Sequence, residues 1–213
     1  MVGETMKINS YQEMNGFAID MFREIGSIGT GNAATALSQT MSAKISMSLP
    51  EVKIMGYNQV IDFLGGPEKI VAAVLVHMTG EFSGIMLYLL DFNFVNIVFE
   101  RLSLGKIEHF EEIDEMRASA IAEISNIIIS SYANAVAQLS GISINLSVPA
   151  MAINMLGGIM SVPMIEYGYT TDKIMIVDGK FIYNGEDMTS NLIMLPDIKS
   201  LNFLLNKLGV MNG

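Results

Sequence analysis

Residues Glu24–Leu37 read EIGSIGTGNAATAL, and how their three glycines are read decides the fold. A stretch of this kind either cradles phosphate on exposed backbone amides, or lies in a helix where missing side chains admit close packing. The chain carries its own control. Sliding the sequence by 99 residues sets Glu24–Leu37 against Glu123–Val136, EISNIIISSYANAV, which has no glycine and reads as helix throughout. The phosphate-loop pattern GxxxxGK[ST] is absent, as is a GxGxxG that follows a strand. Gly26, Gly29 and Gly31 are therefore read as helical. Each costs roughly 1 kcal/mol relative to alanine, which close packing by the sister helix or a neighbouring backbone can offset.

The self-similarity extends beyond the glycines. Positions 20–54 match 119–153 at ten identities, among them Glu24/Glu123, Ile25/Ile124, Ala34/Ala133, Gln39/Gln138 and Pro50/Pro149. Chance at typical residue frequencies gives about two. After the helical stretch, Ile45–Leu49 and Ile144–Val148 both alternate apolar and polar residues and both end at proline, the pattern of a strand with one buried face. A second offset, of 106 residues, pairs Asp91 with Asp197, Asn96 with Asn202 and Leu102 with Leu208 in segments of helical apolar spacing. The aspartates fall where N-caps belong.

Each half thus reads as long helix, strand, further strands and short helix. The later strands are expected at Ile70–Met78 and Ile85–Leu90, joined near Thr79-Gly80-Glu81, and in the second half at Met160–Tyr167, Lys173–Tyr183 and Asn191–Leu195. Asp178-Gly179 is read as a tight turn or a bulge. The expected architecture is α+β, a tandem duplication whose halves, at about 14–105 and 111–210, intertwine into one domain spanning 1–213. The acidic stretch Glu108–Glu115 between them, with five acids in eight residues, reads as a solvated helix start rather than a carboxylate site.

Composition narrows the function. Half of the 213 residues are hydrophobic and 16% are charged, the balance of a folded protein. The apolar run Ile70–Val76 is too short to cross a bilayer, and no secretory signal opens the chain, so no membrane insertion is expected. With no cysteine, disulfides, thiolate nucleophiles and sulfur metal sites are excluded, and a cytoplasmic location is the simplest reading. A net charge of −10 disfavours nucleic acid and anionic lipid and favours a partner bearing cations. The 18 methionines are read as core filling.

The polar faces of the two long helices hold the candidate chemistry. Ser119, Glu123, Asn126, Ser130 and Asn134 recur at spacings of four, three, four and four and so share one stripe, backed by Ile124, Ile128, Ala135 and Leu139. The matching stripe in the first half is Asp20, Glu24, Ser27, Gly31 and Thr35. A polar stripe is usually a solvated face, but such a face tolerates almost any polar residue, so one kept in register through two diverged halves weakens that reading.

The residues EIGxIGxGNAATA, followed by a strand that ends in proline, and a second helix with SxxxEIxN about 100 residues on, resemble the CheC, CheX and FliY phosphatase family of bacterial chemotaxis, its CheC branch most of all. The resemblance spans essentially the whole chain and rests on the motif [DS]xxxExxN in a duplicated frame. It implies hydrolysis of the aspartyl phosphate on a CheY-type response regulator. Glu123 would contact a lysine of the regulator and Asn126 would position the attacking water, with Ser119 flanking them. It implies no metal of the protein's own, the Mg²⁺ being carried by the regulator, and a second partner in the receptor deamidase CheD. The first motif departs from the pattern. Asp20 and Glu24 fit, but Ser27 stands where the family has asparagine, and a hydroxyl cannot present the paired donor and acceptor of an amide. That site is expected to be weak or silent, with Glu24 left to dock a regulator. The alternative is a non-catalytic regulator of CheD or an adaptor at the flagellar switch.

Other residues are set aside. His77 reads as a core or edge histidine and His109 as exposed, too isolated for a zinc site. Asn32 has no assigned role, and no nucleophile elbow or Ser-His-Asp order is present.

Overall fold

The structure is a computed structural model that describes residues 7–167 and 173–209. Position 210, where the second repeat was expected to end, lies outside the described residues. The two long helices are α1 (Gly16–Thr40) and α4 (Glu115–Ser140). Their starts are built alike: Asn15 caps α1 by accepting from the Ala18 amide at 2.9 Å, and Asp114 caps α4 by accepting from the Arg117 amide at 2.9 Å. Before each comes a 3-10 turn, Tyr11–Glu13 or Phe110–Glu112. There Glu13 accepts from the Asn9 amide, and Glu112 accepts from the amides of Glu108 and His109. The acidic stretch is therefore the solvated helix start that the sequence indicates.

Eight strands form one sheet: β1 (Ile45–Met47), β2 (Glu51–Gly56), β3 (Ile70–Gly80), β4 (Gly84–Leu90), β5 (Ile144–Leu146), β6 (Ala150–Met155), β7 (Lys173–Tyr183) and β8 (Glu186–Pro196). The order is β1-β7-β8-β4-β3-β5, with β2 also on β7 and β6 also on β3. The first half's β1 and β2 thus pair with the second half's β7, and β5 and β6 pair with the first half's β3, while β4 and β8 meet at the centre. This exchange is the intertwining of the halves. Every residue of β4 is buried, so both of its faces are covered.

The short helices lock the exchange. Helices α3 (Phe92–Arg101) and α6 (Ile198–Lys207) start at Asp91 and Asp197, whose carboxylates accept from the amides of Phe94 and Ser200. Asn96 on α3 accepts from the Ile107 amide at 2.8 Å and donates to the Ile107 carbonyl at 3.1 Å. Asn202 on α6 does the same to Ile8, at 2.9 and 2.7 Å. Each half therefore ends by gripping the backbone that leads into a long helix, and the Asn96/Asn202 identity in the sequence has its physical reason.

Three expectations are corrected. Met160–Tyr167 is not a strand but part of helix α5 (Leu156–Tyr167), the counterpart of a shorter helix α2 (Tyr57–Phe63). Its apolar run does not alternate, as a half-buried strand would require. Asp178-Gly179 is neither turn nor bulge: both pair regularly with Asn191 and Ser190, and the chain reverses at Asn184-Gly185, where φ is 51° and 83°. Asn-Gly is the strongest short hairpin signal, because both positions of a type I′ turn need φ > 0. His77 is neither core nor edge. It is exposed on β3, with its backbone amide donating to the Ser147 hydroxyl at 3.0 Å.

The helical reading of the glycines holds. A Cβ on Gly29 would lie 2.6 Å from Cδ1 of Tyr132 on α4, so the two long helices meet where α1 lacks a side chain. We expect Gly29→Ala to destabilise the protein by about 1–3 kcal/mol despite its better helix propensity, measured as a lower urea midpoint at unchanged slope. Asn202→Ala strands the Ile8 amide and carbonyl and should cost about 1–3 kcal/mol, with hydrogen exchange rising at residues 8–11.

Candidate functional site

The helix crossing fixes which faces point outward. Thr30 Oγ1 donates to the Gly26 carbonyl at 2.7 Å and shares a 2.7 Å hydrogen bond with the Tyr132 hydroxyl. Burial pushes the Tyr132 phenol up to about 12, against hydrogen bonds from Thr30 and Ser190 that pull it down, so it stays neutral as a structural tie. With Ile25, Gly29, Ala33 and Leu37 of α1 and Ile121, Ile124, Ile128 and Tyr132 of α4 buried, the opposite stripes are turned outward.

On α4, Ser119, Glu123 and Asn134 are exposed, and Asn126 and Ser130 are half-buried. Ser119 donates to the Glu115 carbonyl at 2.8 Å, which absorbs its hydroxyl in the helix. Among the described residues, neither the Glu123 carboxylate nor the Asn126 carboxamide has a hydrogen-bond or ion-pair partner within the protein. A carboxylate and an amide three residues apart thus stand side by side, available to another molecule.

The first stripe is dressed differently. Asp20 is tied to Arg23 at 2.6 Å, both exposed, while Glu24 is exposed and Ser27 half-buried. These four line a cleft of about 580 Å³ closed on its other side by Leu49, Pro50, Glu51 and Val52 at the turn from β1 to β2. Beside it Lys53 reaches Glu51 at 2.9 Å and Asp178 at 2.6 Å. Burial works against the Lys53 charge, but the two carboxylates outweigh it and hold its pKa above the usual lysine value. The Lys53 hydrogen bond and charge hold the Glu51 carboxyl below the usual range.

The two sites therefore share a frame and differ at the rim. Arg23, Glu51 and Lys53 of the first correspond to Ala122, Ala150 and Ala152 of the second. Sequence reasoning passed over the cleft and these charges, although the 99-residue alignment shows charged residues facing alanine at all three positions. Each motif lies on its own helix. Asn32 and His109 are both exposed. Among the described residues no helix is long and apolar enough to cross a membrane.

A duplicated α+β frame built on two long helices defines a fold class, and comparison places the chain within it. A profile of the CheC-like family matches residues 116–153, the start of α4 through β6, which includes Glu123 and Asn126. A Bacillus subtilis protein named CheY-P phosphatase CheC is 32% identical over 90% of this chain and 93% of its own length. The chain belongs to the CheC-like family of chemotaxis proteins. The flagellar motor switch phosphatase FliY of the same bacterium is 27% identical over 70% of this chain but only 38% of its own length. Among solved structures, Thermotoga maritima FliY superposes with a TM-score of 0.73 at 24% identity, covering 93% of this chain and 99% of that one, which shows the shared fold.

Proposed function

We propose that the protein is a CheY-P phosphatase, hydrolysing the aspartyl phosphate of a response regulator in the bacterial cytoplasm. The observation that carries this reading is the unpartnered Glu123 and Asn126 pair on the exposed face of α4, in a chain 32% identical to a protein named for that activity.

In this reading α4 docks over the regulator's acyl phosphate. Glu123 pairs with a cationic group of the regulator, which suits a protein of net charge −10. The Asn126 carboxamide holds a water in line with the phosphorus. Water oxygen bonds to phosphorus, the bond from phosphorus to the regulator's aspartate oxygen breaks, the aspartate leaves as a carboxylate, and the water proton goes to the released phosphate. Such a transfer needs positioning and charge stabilisation more than covalent help. Mg²⁺ belongs to the regulator and is part of the substrate. Ser27 offers a hydroxyl in place of the amide, so the first half contributes little turnover. CheD is a second proposed partner, on the likeness to CheC alone.

The test is decay of a phosphorylated CheY-type receiver, with and without CheD. Asn126→Ala should slow the assisted decay by about a hundredfold, whereas Ser27→Asn should raise activity by up to about twofold, as a second positioned water would. Unaccelerated decay with retained binding of either partner would replace the phosphatase with a non-catalytic regulator.

A further inference from the structure

A strand at the end of a sheet carries a row of amides and carbonyls with no neighbouring strand to receive them, and proteins blunt such rows with charge, lysine above all. The sheet here ends twice, and the two ends are treated differently. On one side β2 pairs only with β7, and on the other β6 pairs only with β3. The 99-residue offset that relates the halves sets β2, EVKIMG, against β6, AMAINM. Glu51 and Lys53 thus correspond to Ala150 and Ala152, and the row that crosses into the next strand changes with them. Glu51 lies opposite Asp178, to which Lys53 is bridged, whereas Ala150 lies opposite Leu75 and Ala152 opposite Ala73. Lys53 is also held over the Phe63 ring at 4.7 Å, and the counterpart of Phe63 is Val162. One edge is charged and tied down. The other has no ionisable side chain from Ala150 to Met155, and Ala150, Ala152, Asn154 and Met155 are exposed.

The register says which groups are open. Leu156 donates to the Lys69 carbonyl at 2.8 Å, continuing the β3–β6 ladder in which Met155 lies opposite Ile70. Ladder bonds in an antiparallel pair fall on alternate residues, so those of β6 fall on Ala150, Ala152 and Asn154, and the amides and carbonyls of Met151, Ile153 and Met155 point away from β3. The Met155 amide is satisfied by Asn154 Oδ1 at 2.8 Å. Met151 and Ile153 are left, and among the described residues no other strand lies beside them. We propose that β6 pairs antiparallel with β6 of a second copy of this chain, about a two-fold axis at Ala152, joining two sheets into one. In that register Met151 of each copy exchanges its hydrogen bonds with Ile153 of the other, which satisfies both open residues. The axis brings Ala152 against its own copy as a non-hydrogen-bonded pair, with Cα atoms about 4.5 Å apart. A methyl group fits there. Lys53 has the equivalent place on β2, and the same pairing of that edge would set two like charges opposite each other, which is destabilising. A residue on a two-fold meets itself, so its charge decides whether the contact forms, and a chain of net charge −10 needs a neutral seam. The axis of an antiparallel pair stands perpendicular to the sheet, so both copies keep the same face. The two α4 helices, which pack on β5 and β6, then flank the seam, and the two α1 helices, on β1 and β2, lie at the far ends.

The chain has no cysteine, which makes the axis directly testable. Ala152→Cys should link two full chains under mild oxidation, because the separation at the axis lies within the roughly 4.4–6.8 Å that a disulfide spans. Asn32→Cys, exposed on α1, should link far more slowly. Sedimentation of the wild type should show a dimer that dissociates on dilution. Ala152→Lys should sediment as a monomer at the same concentrations, with Tm moved by less than about 2 °C, and Ala152→Ser should remain a dimer. Hydrogen exchange at the Met151 and Ile153 amides should slow as the wild-type concentration rises and should stay fast in Ala152→Lys. A wild type that is a monomer at every concentration overturns the proposal, as does a dimer that Ala152→Lys leaves intact, since the copies would then meet on another surface. Slowed exchange at Met151 and Ile153 that appears only when a different protein is added to a monomeric chain would assign the edge to a strand of that protein, and would overturn the proposal equally.

Discussion

The hydrogen bonds that β1 and β2 require come from β7, and those that β5 and β6 require come from β3. Backbone amides and carbonyls cannot be left unpaired in a packed interior without a large cost, so neither half can complete its sheet alone. The duplication is thereby built into the sheet: the first half supplies the long strand β3 on which the second half's short strands build, and the second half supplies β7 for those of the first. Everything else follows this exchange. The long helices pack against each other as well as on the shared sheet, their close approach needs Gly29 against Tyr132, and Glu24 and Glu123 on their outer stripes stay exposed.

The features legible in the sequence were those that recur. Two helices of 25 and 26 residues, the alternating strands that end at proline and the aspartate caps each appear twice, so internal comparison did the work an alignment would do. What stayed hidden had no clear local signal of its own. Helix α5 is apolar nearly all round, with Pro163 inside it, and a helix of that kind has no period to read. Strands β2 and β6 begin directly after the proline corner and look like the tail of the strand before them. The Asn184-Gly185 turn was legible in principle. It was missed because Asp178-Gly179 offered a similar dipeptide a few residues earlier, inside a strand whose neighbours on both sides hold it straight.

For the candidate site, the stripe could be read from spacing alone, because a helix turns the separations of three and four into a shared face. The surroundings could not. That Leu49 and Glu51 line one cleft with Glu24 depends on where the β1–β2 corner lies relative to α1, a long-range fact with no local signature. Nor does spacing reveal that Arg23 ties up Asp20 while Glu123 stays free.

Divergence of one site without loss of the fold has a physical explanation in these same contacts. Ser27 is half-buried and its hydroxyl hydrogen-bonds to nothing among the described residues, and the Asn126 carboxamide is equally unengaged, so the exchange of hydroxyl for amide at this position touches neither the contact between the long helices nor the sheet. The residues that stability depends on, Gly29, Tyr132, Asn96 and Asn202, lie on the inner faces or at the joints between halves. The proposed site residues sit on the outer stripes, whose side chains make few demands on packing. A pseudo-symmetric protein arranged in this way can change one outer stripe while keeping the other, because the symmetry that holds the molecule together is carried by different atoms from those on the outer faces.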